Sequence, residues 1–168
     1  MEQILDIVTK ATRSRMMAGI RNKDTKPEIL IRKHLHSLGF RFRLHRRIGK
    51  ARPDLVLSRW HTCIFVHGCY WHRHKGCKLA SEPKSNTEFW KSKFNQNVER
   101  DKRNVSQLKS LGWSVGIIWE CSVRNGTFME AKLKELIINH DCWEVWNAGK
   151  STTISTISPL ATLLKTAI

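Results

Sequence analysis

Arg52-Pro53-Asp54-Leu55-Val56-Leu57 and, a few residues on, Cys63-Ile64-Phe65-Val66-His67-Gly68 decide the fold. Leu55 to Leu57 reads as a short apolar strand opened by Asp54. Cys63 to Val66 is a more continuous apolar run, as expected of a central strand covered on both faces, and His67-Gly68 breaks it. Upstream, Phe40-Arg41-Phe42-Arg43-Leu44 alternates with period two, the pattern of a strand with one buried face, and a basic loop through Ile48-Gly49-Lys50-Ala51 joins it to Arg52. Before it, Thr25-Lys26-Pro27-Glu28 is a capping box with proline in the first turn, where its missing N–H costs nothing. Ile31, Leu35 and Leu38 continue as a helical stripe that Gly39 ends.

Downstream, Thr87 and Glu88 open a long helix carrying Trp90, Phe94, Val98, Val105, Leu108 and Leu111, closed by Gly112. Trp113 to Trp119 is apolar and β-branched enough to be a strand inside the sheet. Thr127 and Glu130 form a second capping box before Leu133, Leu136 and Ile137. Helix, three strands, helix, strand, helix predicts an α/β sandwich with a mixed sheet flanked by helices. Residues 1–22 read as a basic arm, 23–146 as the domain, and the Ser/Thr-rich 147–168 as an unassigned tail.

Thirty Lys and Arg stand against 14 Asp and Glu, a net charge of +16 in 168 residues. Residues 1–50 carry +9 and 51–110 carry +7, while 111–168 are neutral. Two basic thirds beside a neutral one point to a polyanion-binding surface more than to solubility, which needs both signs interspersed. No basic amphipathic helix favours a membrane surface, and no apolar run nears the ~18 residues of a span. Nucleic acid is the better partner, and a cytoplasmic protein is expected. Five cysteines, an odd number, argue against a disulfide framework.

Three constellations carry chemistry. Cys69-x4-His74-x2-Cys77, with Cys121 after a later strand, offers three thiolates and an imidazole in a loop poor in apolar residues. Such a donor set suits a closed, four-coordinate zinc site that supplies order packing cannot. Small buried cysteines are the bland alternative, and it suits Cys63 better than Cys69 or Cys77. Cys142 has no assigned role. Second, Asp54 at the mouth of one strand and Val66-His67 at the end of the next are placed as nucleases place a carboxylate to hold Mg²⁺ against a phosphate. The acidic-x-Lys triplet common in restriction-type sites is replaced by Phe65-Val66-His67. Third, Tyr70-Trp71-His72 and Trp90 set aromatics among basic residues, suited to stacking on bases. Trp113 and Trp119 read as core. Taken alone, His72 is open between metal ligand, general base and solvated histidine.

Lys10-Ala11-Thr12-Arg13-Ser14, Gly49 to Asp54, Val66 to His72, Thr87-Glu88-Phe89-Trp90, Asn97-Val98-Glu99-Arg100-Asp101 and Gly112 to Cys121, in that order, resemble the very short patch repair (Vsr) endonucleases. The resemblance implies a restriction-endonuclease-like fold with a structural zinc. It also implies Mg²⁺-dependent hydrolysis 5′ to the thymine of a T:G mismatch left by 5-methylcytosine deamination. Carried over residue by residue, Asp54 would bind magnesium with the carbonyl of Val66, and His72 would be the general base. His67 would support the phosphate or a water, and Glu28 would order waters. Tyr70, Trp71 and Trp90 would form an aromatic wedge, Met17 would enter from the other groove, and Lys93 and Asn97 would read the wobble pair. Cys69, His74, Cys77 and Cys121 would bind zinc, with His72 the competing histidine because the His74–Cys77 spacing is one residue longer than usual. Val66 stands where Thr is frequent and Tyr70 where Phe is common. The implied partner is mismatched double-stranded DNA, bound by a monomer because the target is asymmetric; coupling to mismatch-repair proteins is left open. The runners-up are a nicking or restriction-type enzyme on matched DNA and a non-catalytic zinc-stabilised DNA-binding protein.

Overall fold

The first capped helix forms as its sequence dictates. The computed structural model describes residues 9–19, 23–124, 130–139, 143–148 and 151–156. After α1 (Lys10–Ala18), α2 (Lys26–Ser37) starts at a reciprocal capping box between Thr25 and Glu28, with Pro27 in its first turn. It ends where Gly39 adopts φ +85°, letting the Phe40 amide return to the Leu35 carbonyl at 3.0 Å. The 24-residue α3 (Thr87–Ser110) stops in the same way, with Gly112 at φ +78° and the Trp113 amide bonded to the Leu108 carbonyl at 2.9 Å.

Among the described residues, six strands form one sheet in chain order: β1 (Arg43–Leu44), β2 (Leu55–Leu57), β3 (Thr62–His67), β4 (Ser114–Trp119), β5 (Trp143–Ala148) and β6 (Ser151–Thr156). The β1/β2, β2/β3 and β5/β6 pairs are antiparallel, while β3/β4 and β4/β5 are parallel, so the expected mixed sheet is observed. A parallel β3/β4 pair needs a long crossover, and α3 supplies it. Two short helices, α4 (Glu120–Arg124) and α5 (Glu130–Ile138), lie between β4 and β5.

Strand alternation sorts the core into two layers. Leu55, Leu57, Ile64, Val66 and Ile118 meet Ile31 and Leu35 of α2 and Leu133, Leu136 and Ile137 of α5. On the opposite face Val56, Cys63, Phe65 and Val115 meet Leu108 of α3. Each fully buried aliphatic side chain contributes roughly 1.5–3 kcal/mol, so this two-sided burial fixes the register of β3, the strand that ends at the site.

Three expectations change. The strand expected over Phe40–Leu44 shrinks to two residues: Phe40 is buried, but Leu44 is 45% exposed, because the chain needs only a short edge pairing before it turns into the basic loop. Within the basic arm, Lys10–Ala18 is helical, capped by the Thr9 hydroxyl accepting from the Thr12 amide at 3.2 Å. Within the stretch read as a tail, Ser151–Thr156 is a β-branched strand completing the sheet edge. Thr127, Cys142 and Pro159 lie outside the described residues. No helix among the described residues is long and apolar enough to cross a membrane.

Candidate active site and metal centre

The antiparallel β2/β3 pair brings the beginning of one strand beside the end of the other, so Asp54 and Val66–His67 converge. The Val66 amide donates to Asp54 Oδ2 at 2.8 Å, and Asp54 Oδ1 lies 3.8 Å from His45 Nδ1. Burial pushes the Asp54 carboxyl up; the Val66 amide opposes this, the nearby Glu28 charge adds to it, and the net value is about 6. A carboxylate raised in this way is short of positive charge, the condition a bound cation relieves. Glu28, buried on α2, accepts from the Thr25 hydroxyl at 2.8 Å and the Asp24 amide at 3.0 Å. Arg32 reaches Glu28 at 2.9 Å and His45 Nε2 at 3.3 Å, tying α2 to the loop in front of Asp54.

The ring of His67, the last residue of β3, stacks on that of His72 in the loop beyond, with centroids 3.9 Å apart and planes 7° from parallel. His72 Nδ1 is 2.5 Å from Asp101 Oδ2 on α3. Burial drives the His67 imidazole down to about 3, reinforced by the adjacent His72, so His67 is neutral. Burial pushes Asp101 upward, but the His72 hydrogen bond and the neighbouring His67, His72 and Arg100 outweigh it and hold the carboxyl below its usual range. His67, His72 and Asp101 also offer three atoms within 4.8 Å of one another.

The second half of the loop gathers Cys69, His74, Cys77 and Cys121, whose ligand atoms all lie within 4.8 Å of one another. His74 Nδ1 is 3.7 Å from Cys69 Sγ and 3.5 Å from Cys121 Sγ. Metal–sulfur bonds of about 2.3 Å and metal–nitrogen bonds of about 2.0 Å at tetrahedral angles give S···N edges of about 3.5 Å, so the donor set fits a four-coordinate metal. Cys121 arrives because β4 runs parallel to β3, ending at the same side of the sheet. His74 stacks on Trp119 at 4.2 Å and turns to the thiols, whereas His72 turns to Asp101.

An aromatic cluster borders both groups. Tyr70 meets Trp71 edge-on at 5.1 Å, Phe94 at 5.1 Å and Trp90 at 6.3 Å, and Trp71 is 6.0 Å from Trp90. Asn97 donates from Nδ2 to the Trp71 carbonyl at 3.1 Å. Lys93 is exposed one turn before Asn97, and both line a groove of about 830 Å³ along α3 with Lys91, Arg100 and Arg103. Met17 is outside this cluster, 38% exposed on α1.

The family model for the DNA mismatch endonuclease Vsr matches residues 5–79. The DNA mismatch endonuclease Vsr of Escherichia coli is 44% identical over 119 residues, covering 71% of this chain and 76% of that protein. The type II nicking enzyme V.NmeAIP of Neisseria meningitidis is 42% identical over 132 residues, 79% of this chain and 94% of that one. This chain belongs to the Vsr endonuclease family. The type II nicking enzyme V.XorIIP of Xanthomonas oryzae is 38% identical, covering 79% of this chain and 96% of the relative. A solved structure, the homing endonuclease I-Bth0305I catalytic domain, is similar with a TM-score of 0.49 and 20% identity, covering 70% of this chain and 98% of that one.

In this Vsr-family chain the structure also brings to the site residues to which the motifs gave no role. Asp101 closes the 97–101 stretch that carries part of the resemblance, but 29 residues separate it from His72, and no local pattern joins them. His45 and Arg32 are likewise found only through their contacts with Asp54 and Glu28. Gln107 accepts from the Lys50 amide at 3.0 Å and braces the loop leading to Asp54. Its place in that stretch, flanked by Arg100, Lys102 and Arg103, was the available signal for Asp101.

Proposed function

We propose that this Vsr-family enzyme nicks one DNA strand 5′ to the thymine of a T:G mismatch, of the kind left by 5-methylcytosine deamination, with Mg²⁺ as the catalytic metal. The observation that carries the reading is the His72–Asp101 pair beside the desolvated Asp54, within electrostatic reach of it. With its Nδ1 hydrogen given to Asp101, His72 has Nε2 free to take a proton from the attacking water. Asp101 fixes the tautomer and stabilises the imidazolium that forms. Water adds to phosphorus, its proton passes to His72, and the bond to the departing sugar oxygen breaks, that oxygen taking a proton from solvent to leave as a hydroxyl. His67, neutral and stacked on His72, buttresses that ring and lies toward the phosphate.

Asp54 and the Val66 carbonyl would hold the magnesium. In a strand the N–H and C=O of one residue face the same neighbour, so the carbonyl of Val66 lies on the side where its amide meets Asp54. Bound there, Mg²⁺ supplies Lewis-acid stabilisation of charge building on the phosphate. Glu28 would order waters around it. Zn²⁺ suits the Cys69, His74, Cys77 and Cys121 set, where three sulfurs and a nitrogen match its preference.

Tyr70, Trp71 and Trp90 would enter beside the mismatch, with Met17 from the opposite groove and Lys93 and Asn97 reading the displaced bases. A wobble pair stacks less well than a matched one, so opening it costs less of the few kcal/mol that unstacking takes. The enzyme is read as a cytoplasmic monomer, its coupling to mismatch-repair proteins left open.

The test is cleavage of end-labelled duplexes, one with a single T:G mismatch in varied contexts and one fully matched, with Mg²⁺ and then EDTA. A Mg²⁺-dependent nick 5′ to the mismatched thymine, lost in Asp54→Ala, is expected. Equal nicking of matched DNA would replace mismatch recognition with the matched-DNA activity. Binding without cutting would remove the catalytic roles.

A further inference from the structure

Arg73 stands between two histidines that face different ways: His72 binds Asp101, and His74 faces the three thiols. Its backbone is at φ +54°, the left-handed region that non-glycine residues seldom occupy. That turn sends His72 and Arg73 to two different points on α3 and His74 to the thiols. The Arg73 side chain is only 18% exposed. Its guanidinium lies 4.5 Å from the centroid of Phe94, a buried ring on α3. The same group donates from Nη1 to the Ser81 carbonyl at 3.0 Å and pairs through Nη2 with Glu82.

Phe94 is the floor of the aromatic cluster. Tyr70 sits edge-on to it at 5.1 Å and 90°, and Trp90 stacks on it at 5.7 Å and 28°. Arg73 therefore clamps one face of this floor while fastening the far end of the Cys/His loop, residues 81–82, against α3. A planar guanidinium can cover a ring and donate to two oxygens at its edge simultaneously; an ammonium cannot.

We propose that Arg73 is a positioning residue for mismatch recognition: through Phe94 it holds Tyr70 and Trp90 in the arrangement that enters the stack. The inference rests on the wedge reading above. A wedge that unstacks a base step must not deform first, and its support comes from the guanidinium–ring contact. The exposed Glu82 ion pair contributes little of this, since surface pairs are weak.

The experiment compares the wild-type enzyme with Arg73→Ala, Arg73→Lys and Glu82→Ala, all loaded with zinc. Readouts are kcat and KM on a T:G duplex, zinc content, and the fluorescence of 2-aminopurine placed beside the mismatch, which rises on unstacking. Arg73→Ala is expected to raise KM about tenfold or more and to lose most of the fluorescence rise, with kcat within about threefold and zinc retained. Arg73→Lys should recover part of the fluorescence rise, and Glu82→Ala should stay within about threefold of wild type in KM. Unchanged KM and fluorescence in both Arg73 variants, beside a discriminating wild type, would overturn the inference and leave the function standing. Loss of zinc or of kcat in both Arg73 variants would overturn it too, by making the residue a general fold support. A wild-type enzyme without mismatch preference would instead remove the parent reading, and this inference with it.

Discussion

His72 and Asp101, joined at 2.5 Å between Nδ1 and Oδ2, couple the end of β3 to the middle of α3. The pair exists because α3 is the crossover of a parallel β3/β4 unit and must lie back across the sheet end from which it left. Orientation of the imidazole thus depends on the packing of Leu108 and Val105 of α3 against Val115 and Phe65.

Replacing Asp101 with Asn tests that coupling. An amide cannot stabilise the imidazolium and can hold the opposite tautomer. Single-turnover cleavage should slow by about 10²–10⁴-fold, the range expected when a base loses its orienting carboxylate. Binding to the duplex should change little. A cleavage rate within threefold of wild type would show that His72 acts without Asp101.

Asp54 links activity to stability. Its folded-state pKa of about 6 stands above the ordinary 3.8, so folding favours the protonated carboxyl. The sign follows: the contribution is favourable below about pH 4, and ionisation costs stability as pH rises through about 6, by up to about 3 kcal/mol. Magnesium-free Asp54→Asn should therefore resist urea better than wild type at pH 8, by about 1–3 kcal/mol, with the gap narrowing at pH 5 while cleavage is abolished. Equal midpoints at pH 8 would contradict the desolvation argument.

The same carboxyl sets a pH dependence for the metal. With Mg²⁺ on Asp54 as proposed, a proton would compete with it, so the Mg²⁺ concentration needed for half-maximal cleavage should rise as pH falls through about 6. Titrations at pH 5.5 and pH 8 measure it, and a constant requirement would exclude Asp54 as the ligand.

If the Cys/His set holds zinc as proposed, removing it should loosen the loop, not only the thiols. Treatment with a strong chelator, or Cys121→Ser, should lower the melting temperature and abolish cleavage, because Cys69 and His74 flank the segment carrying His72. Metal analysis should give one zinc per wild-type chain. A chain holding no zinc yet melting normally would return these residues to ordinary buried cysteines.

Gly49 provides a test remote from the reacting atoms. It adopts φ +59°, and an added Cβ would come 2.8 Å from Gln107 Nε2. Gly49→Ala should cost roughly 1–2 kcal/mol in denaturant unfolding and displace the loop that Gln107 anchors at Lys50. Cleavage should fall with KM nearly unchanged, since the wedge lies elsewhere.

Unbroken apolar runs made the two-sided core legible because burial on both faces demands apolar residues through the middle of β2, β3 and β4, with Thr62, His67 and Ser114 only at strand ends. Caps and stops were equally local: Thr25 with Glu28, Gly39 and Gly112 act within one turn. The thiol and imidazole set was visible as donor types in a polar loop, yet the choice of His74 over His72 depends on which way each ring turns. β6 escaped the reading because Ser and Thr at a sheet edge resemble a loop in composition, and only pairing with β5 makes them a strand.

The sequence by itself determined the helix ends, the buried strands, the basic surface and the chemical types at the site, because short-range sterics, burial and charge act on neighbours along the chain. Tertiary structure alone decided that Asp101 meets His72, that Arg73 lies on Phe94, and that Cys121 joins Cys69 and His74. Those pairs are far apart in sequence or depend on a single backbone turn, and their energies arise only after the sheet and α3 have packed.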